Sequence, residues 1–250
     1  TKKTKAIVGV DMLGHPAEWD ELNEIATKHG ITLIEDAAEA HGALYNKRKA
    51  GSLAPISMFS FYGNKTITTG EGGMILSNDS EFIEKCLLTR GHGMKPEKRY
   101  WHEVMGYNYR MTDVQAAIGM AQFEKIDQFL HRKRVIARMY RDELSTVPGI
   151  IPPAERGNVS HSYWMYQINV DAAAYGMTRD QLATELLKKN IDTRRAFYPA
   201  HVQPPYLQKG VFTNSEYCSE TGLMIPMGAN LRDEQVEYLS EAIRAMGKKS

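Results

Sequence analysis

The chain has 250 residues, enough for one large domain or one and a half ordinary ones. Its 42% hydrophobic and 24% charged content is that of a soluble globular protein, and a net charge of +1 lacks the basic excess that nucleic-acid binding needs. No apolar run approaches ~18 residues and no signal peptide is visible, while Cys86 and Cys218 lie far apart in no metal-ligand spacing, so we expect a cytoplasmic protein with reduced thiols, no membrane span and no metal.

Residues 6–10, Ala-Ile-Val-Gly-Val, read as a first strand. A helix is expected over 16–29, where Pro16 suits the first turn, Trp19, Leu22, Ile25 and Ala26 form one apolar stripe, and Gly30 can stop it. Thr32 to Ile34 reads as a buried strand, completing a βαβ unit and arguing for a parallel sheet. Residues 45–55 are polar and expected as a loop, and Gly73 to Ser77 is strand-like. The next helix is expected over 79–90 with Phe82, Leu87 and Leu88 buried and Asn78 or Asp79 as cap.

Residues 92–111 hold Tyr100, Trp101, Tyr107 and Tyr109 with no clear period, and a long ordered loop of this kind is usually functional. Residues 112–144 are expected as the longest helix, bridging two lobes. Pro148, Pro152, Pro153 and Gly157 then break the chain, which places a domain boundary near Val147, with domains 1–147 and 148–250. The second lobe alternates strand (163–170), helix (178–190), strand (193–197), and closes with helices near 215–222 and 231–246.

Two stretches carry chemistry. An apolar and aromatic run, Ser57-Met58-Phe59-Ser60-Phe61-Tyr62, leads to Lys65 and a glycine-rich corner. A lysine at the end of a buried strand loses hydration, which lowers its pKa toward the state needed for a Schiff base with an aldehyde. Asp36 sits where the strand before it ends, and ligands gather at the carboxyl ends of strands in open α/β sheets, so both side chains are expected at one crevice. An aspartate there can hold a proton on a ring nitrogen, as in pyridoxal phosphate (PLP) sites, or simply cap the following turn. Gly70-Glu71-Gly72-Gly73 has neither dinucleotide nor Walker spacing and reads as a tight corner.

The runs Glu35-Asp36-Ala37-Ala38-Glu39-Ala40-His41-Gly42, Ser60-Phe61-Tyr62-Gly63-Asn64-Lys65, Thr69-Gly70-Glu71-Gly72-Gly73 and Gly106-Tyr107-Asn108-Tyr109-Arg110-Met111-Thr112 resemble the DegT/DnrJ/EryC1/StrS family of sugar-nucleotide aminotransferases. The resemblance covers nearly the whole chain. It implies an α/β fold of PLP-dependent transferase type I (aspartate-aminotransferase-like), with part of a mostly parallel large domain and a small α+β domain. It also implies PLP as cofactor, L-glutamate as amino donor, a nucleotide-linked 4-keto-6-deoxy sugar as acceptor, and a homodimer with shared active sites. Arg90-Gly91-His92-Gly93-Met94, Arg99-Tyr100-Trp101-His102 and Phe197-Tyr198-Pro199-Ala200-His201 match a subgroup acting on a GDP-linked sugar.

By the same resemblance, Lys65 holds PLP and moves protons, Asp36 keeps the ring nitrogen protonated, Ser60 donates to the phosphate, and Glu39 approaches the ring. Many relatives carry glutamine at the position of Glu39. Asn108 matches an asparagine that reaches the other subunit's cofactor phosphate; alternatively the aromatics around it only pack a dimer contact. Arg195, Tyr198 and His201 are candidates for the substrate pocket. His41 is set aside as a core histidine, and His15 as a turn residue.

Relatives carry a further stretch ahead of residue 1, with a helix N-terminus for the cofactor phosphate and an aromatic that stacks on the ring. Neither is in this sequence, so either a first part lies outside it or the chain is a shortened relative. A truncated, inactive scaffold is one alternative function. A PLP-dependent sugar dehydratase is another, disfavoured because such relatives replace this lysine by histidine.

Overall fold

The computed structural model describes residues 1–95 and 97–248. They form two compact units, one of Thr1–Leu130 with Arg156–Trp164, the other of His131–Glu155 with the chain from Met165 onward.

The first unit is built on a four-stranded sheet of order β1-β2-β5-β6, from β1 (Ala6–Val10), β2 (Thr32–Asp36), β5 (Ile56–Ser60) and β6 (Gly73–Ser77). The first three strands are parallel and β6 is antiparallel to β5. Helix α1 (Trp19–His29) makes the expected crossover and stops at Gly30, whose φ of 59° is the left-handed cap conformation. Between β2 and β5, the expected loop contains two-residue strands, β3 (Leu44–Tyr45) and β4 (Arg48–Lys49).

Register sorts the two sheet faces. Val10, Asp36, Met58 and Ile75 share one row, with Val8, Ile34 and Ile56 in a row on the same face. Val8, Val10 and Ile75 are exposed, so this face is open at both of its edges. The opposite face carries Leu33, Glu35 and Ser57 into a core formed with Trp19, Ala26 and Leu53.

Helix α2 (Ser80–Arg90) starts at Asp79, whose side chain accepts from the Phe82 amide. None of its residues is buried and Leu87 is exposed, contrary to the expected burial of Phe82, Leu87 and Leu88. After α2 the chain makes bridges between Gly91 and Asn108 and between Met94 and His102.

The expected single helix over 112–144 is two, α3 (Asp113–Phe123) and α4 (Ile126–Leu144). At the junction the Lys125 amide bonds the Gln122 carbonyl at 3.0 Å, a tighter i→i+3 closure. Gln122 itself is turned to the lysine corner, bonding the Thr68 amide at 3.2 Å and the Thr68 carbonyl at 3.1 Å.

The chain crosses between units within α4 and again at 155/156 and 164/165 rather than at Val147. Two local facts explain this division. The strand β8 (Val159–Ser160) pairs with β3 of the first unit, and the body of α4 buries Ile136, Ala137, Tyr140 and Leu144 in the second, where the Tyr140 ring meets Tyr166.

In the second unit an antiparallel sheet runs β10-β11-β9-β7, from β7 (Ile150–Ile151), β9 (Tyr166–Val170), β10 (Arg194–Arg195) and β11 (Gly222–Ile225). The helices are α5 (Ala172–Tyr175), α6 (Arg179–Lys188), α7 (Thr213–Thr221) and α8 (Asp233–Met246). Thr178 and Gln181 cap α6 reciprocally, and Leu182, Leu186, Leu223, Ile225 and Ile243 fill the core. Among the described residues no helix is long and apolar enough to cross a membrane.

Candidate active site

Asp36 is the last residue of β2 and pairs in register with Met58, two residues before β5 ends. Lys65 follows in the turn beyond that strand, its amide bonded to the Tyr62 carbonyl at 2.9 Å. The corner is pinned by the Thr69 amide on the Phe61 carbonyl at 2.9 Å and by Gln122 of α3. Both candidates thus stand at the carboxyl ends of neighbouring parallel strands, the expected place for a ligand.

Lys65 Nζ lies 3.6 Å from Glu39 Oε1, with only 11% of the lysine side chain and 14% of the glutamate exposed. Burial pushes the Glu39 carboxyl above its ordinary range and the Asp36 charge adds to the rise, while the Leu13 amide and Lys65 oppose it. Asp36 accepts from the Ala38 amide at 3.1 Å, and Ser60 Oγ from the Tyr62 amide at 3.2 Å.

His41 is buried against Phe59 and Phe61, with ring centroids 5.0 and 5.9 Å away, and neither ring nitrogen makes a hydrogen bond of normal geometry. Burial and the Lys65 charge push its pKa down to about 4, against a weaker pull from the Ser60 backbone. Its placement in the core is the one expected.

Trp164 was missed. Its ring centroid is 4.0 Å from Lys65 Nζ and its indole N–H donates to the Asn64 carbonyl at 2.8 Å. The strand expected from 163 begins only at Tyr166, because Tyr163 has φ 51°, and that turn frees Trp164 from the sheet's alternation.

Asn108 is exposed in the bridged loop, flanked by the stacked rings of Tyr107 and Tyr109. The remaining candidates belong to the second unit. Arg195 and Tyr198 are exposed and paired, the guanidinium carbon 3.9 Å from the ring centroid, whereas His201 is buried with Nε2 3.0 Å from Glu216 and its ring against Phe212.

The first unit's donor set suits part of PLP. A largely buried amine, a carboxylate one strand away and a hydroxyl at a strand end are groups that could meet the aldehyde, the ring nitrogen and the phosphate, beside the open row through Val10, Met58 and Ile75.

Comparison with known proteins agrees with this chemistry. The profile of the DegT/DnrJ/EryC1/StrS aminotransferase family matches residues 1–244. GDP-perosamine synthase of Escherichia coli O157:H7 is 42% identical over 244 residues, which cover 97% of this chain and 66% of that protein. Among solved structures, Streptomyces venezuelae DesV in complex with a ketimine intermediate superposes with a TM-score of 0.91 at 30% identity, over 100% of this chain and 67% of that one. Spr1654 of Streptococcus pneumoniae, described as a sugar aminotransferase and solved in a PLP form, gives a TM-score of 0.89 at 26% identity, over 98% and 69%. The chain therefore spans about two thirds of the length of the proteins it matches.

Proposed function

The chain belongs to the DegT/DnrJ/EryC1/StrS aminotransferase family, and from that premise we propose that it is a PLP-dependent sugar aminotransferase. The acceptor we propose is GDP-4-keto-6-deoxy-D-mannose, giving GDP-perosamine for surface polysaccharide (O-antigen) synthesis, with L-glutamate as donor. The likeness to GDP-perosamine synthase supports the choice of sugar. A cytoplasmic homodimer with shared sites completes the reading.

The observation that carries it is the largely buried Lys65 amine beside Glu39, just beyond the strand that pairs with the one bearing Asp36. PLP, when bound, supplies the electron sink through which an amino group passes between carbons. Lys65 Nζ would bind its aldehyde carbon and, once released, take the proton from the substrate carbon. The Asp36 carboxylate would keep the ring nitrogen protonated, and the Ser60 hydroxyl would donate to the phosphate. Asn108 would serve the phosphate of the second subunit's cofactor. The Glu39 carboxylate would stay beside the amine and the ring, and Arg195, Tyr198 and His201 would bind sugar nucleotide or donor carboxylate.

The test is absorbance and turnover with PLP, glutamate and a panel of keto-sugar nucleotides, with products identified by mass. Lys65→Ala should lose the bound-PLP absorbance and at least about 10²-fold of turnover. A wild-type chain that folds cooperatively yet never turns yellow would favour the scaffold alternative. Full turnover in Lys65→Ala would remove the assignment.

A further inference from the structure

Among the described residues Glu39 and Trp164 stand against the Lys65 amine, with the buried His41 ring near enough to feel its charge, and the proposed chemistry uses only the first. Glu39 is a carboxylate that attracts the ammonium and can also accept its proton. Trp164 attracts the ammonium and can accept nothing. Its ring centroid is 4.0 Å from Nζ, and Trp164 is only 4% exposed. Desolvation of this kind strengthens the attraction between a cation and an aromatic face.

The ring is also tied to the turn that carries the lysine. The indole N–H donates to the carbonyl of Asn64, the residue before Lys65, at 2.8 Å. Behind it, the Ser162 amide bonds the Gly14 carbonyl at 3.0 Å, and the rings of His161 and Tyr163 stack at 3.9 Å. One side chain therefore fixes both the backbone next to the amine and the surface over which the amine lies.

We propose that Trp164 is a positioning residue for Lys65, its ring face holding the ammonium form of Nζ while its N–H fixes the turn that presents it. The inference rests on the aminotransferase reading only for the use to which Lys65 is put. There the lysine must pass between amine and ammonium, and a neutral ring favours the charged form without competing for the proton.

The test measures the amine itself. Reductive methylation of the full chain by ¹³C-formaldehyde and cyanoborohydride, without PLP, is followed across pH by peptide mass spectrometry. Lys65 is read against the exposed Lys28, and against Lys98, which lies 3.7 Å from the half-exposed Trp101 ring. In Trp164→Leu the pH of half-maximal labelling at Lys65 should fall by about half a unit or more, and in Trp164→Phe by less. Mere loosening of the turn would raise the labelling plateau without moving that midpoint.

Should the leucine variant not fold, biosynthetic fluorotryptophans decide, since added fluorine weakens the ring face at nearly constant shape. The Lys65 midpoint should step down with fluorine number, Lys98 should move less, and Lys28 should stay. A Lys65 midpoint indifferent to fluorination overturns the proposal. Failure of the wild-type chain to absorb with PLP would instead strike the aminotransferase reading and leave this titration standing.

Discussion

One carboxylate joins the lysine to the loop after β1. Glu39 Oε1 lies 3.6 Å from Lys65 Nζ, while Oε2 accepts the Leu13 amide at 2.7 Å. Leu13 has φ 58°, a left-handed conformation unusual for a side chain of its size, and the bond to Glu39 is part of what holds it there. The two roles of Glu39 separate by substitution. Glu39→Gln keeps an acceptor for Leu13 and loses the charge, so unfolding in urea at pH 7 should change by no more than about 1 kcal/mol, with the main effect on Lys65 labelling. Glu39→Leu leaves the Leu13 amide unpaired and should cost about 1–3 kcal/mol more. Equal destabilisation by both variants would contradict this division.

Asp11 gives the first unit a pH dependence of its own. It is fully buried, with Oδ1 accepting from the Ala17 amide at 2.9 Å and from Trp19 Nε1 at 2.8 Å. Burial, aided by the neighbouring Glu35, pushes its pKa from 3.8 up to about 7 against those two donors. The folded state thus keeps a proton that the unfolded chain has released. Its contribution is present below pH 3.8 and is lost as pH rises to about 7, a change on the order of 4 kcal/mol at most. Asp11→Asn retains an acceptor for both donors and removes the ionisation. Its stability should be flatter between pH 5 and 8 and should exceed the parent's at pH 8, as urea midpoints at each pH would read.

Local signals carried most of this fold. A short apolar run marked β1, glycine marked the end of α1, and a polar cap marked the start of α2, because each depends on a few adjacent residues. The placement of Asp36 and Lys65 at and just beyond neighbouring strand ends was also legible, since strand ends are visible in sequence and parallel neighbours bring those ends together. What failed depended on distant partners. Residues 112–144 carry a continuous helical pattern, yet Gln122 is committed to Thr68 at the junction of α3 and α4. The boundary near Val147 followed prolines, whereas β8 belongs to the first unit through a pairing with β3 that no local pattern announces. Trp164 escaped notice for the same reason, its partner lying at Lys65 in another stretch of chain.

The segment bearing Trp164 closes on a glycine. Gly14 has φ 99°, and a Cβ there would meet Ser162 Oγ at 2.3 Å and the Tyr163 amide nitrogen at 3.0 Å. Gly14→Ala combines an unfavourable backbone conformation with a clash against main chain, so a loss of about 2 kcal/mol or more is expected. The same displacement should reduce burial of Trp164, seen as a red shift in tryptophan emission. A variant with parental stability and emission would show that this loop yields without consequence.

Lys133 sets an alkaline dependence in the second unit. It is buried in α4 with Nζ donating to the Met227 carbonyl at 2.7 Å, and burial pushes its pKa from 10.5 down to about 8. The folded state releases this proton earlier than the unfolded chain, so stability should rise as pH climbs from about 8 toward 10.5, by on the order of 3 kcal/mol at full extent. Tyr140 and Tyr175 act in the opposite sense, because burial raises both phenols and the unfolded chain ionises them first. Their ordinary value of 10.0 keeps that opposition out of the lower part of the window, and Asp11 has largely ionised by pH 8, so urea midpoints between pH 8 and 9.5 read mainly the lysine. Lys133→Met should remove the rise. At pH 7 it loses the bond to Met227 but also a buried charge, and replacement of such a charge by an apolar side chain of similar length is often neutral or stabilising. An undiminished rise in Lys133→Met would assign the alkaline dependence to another group.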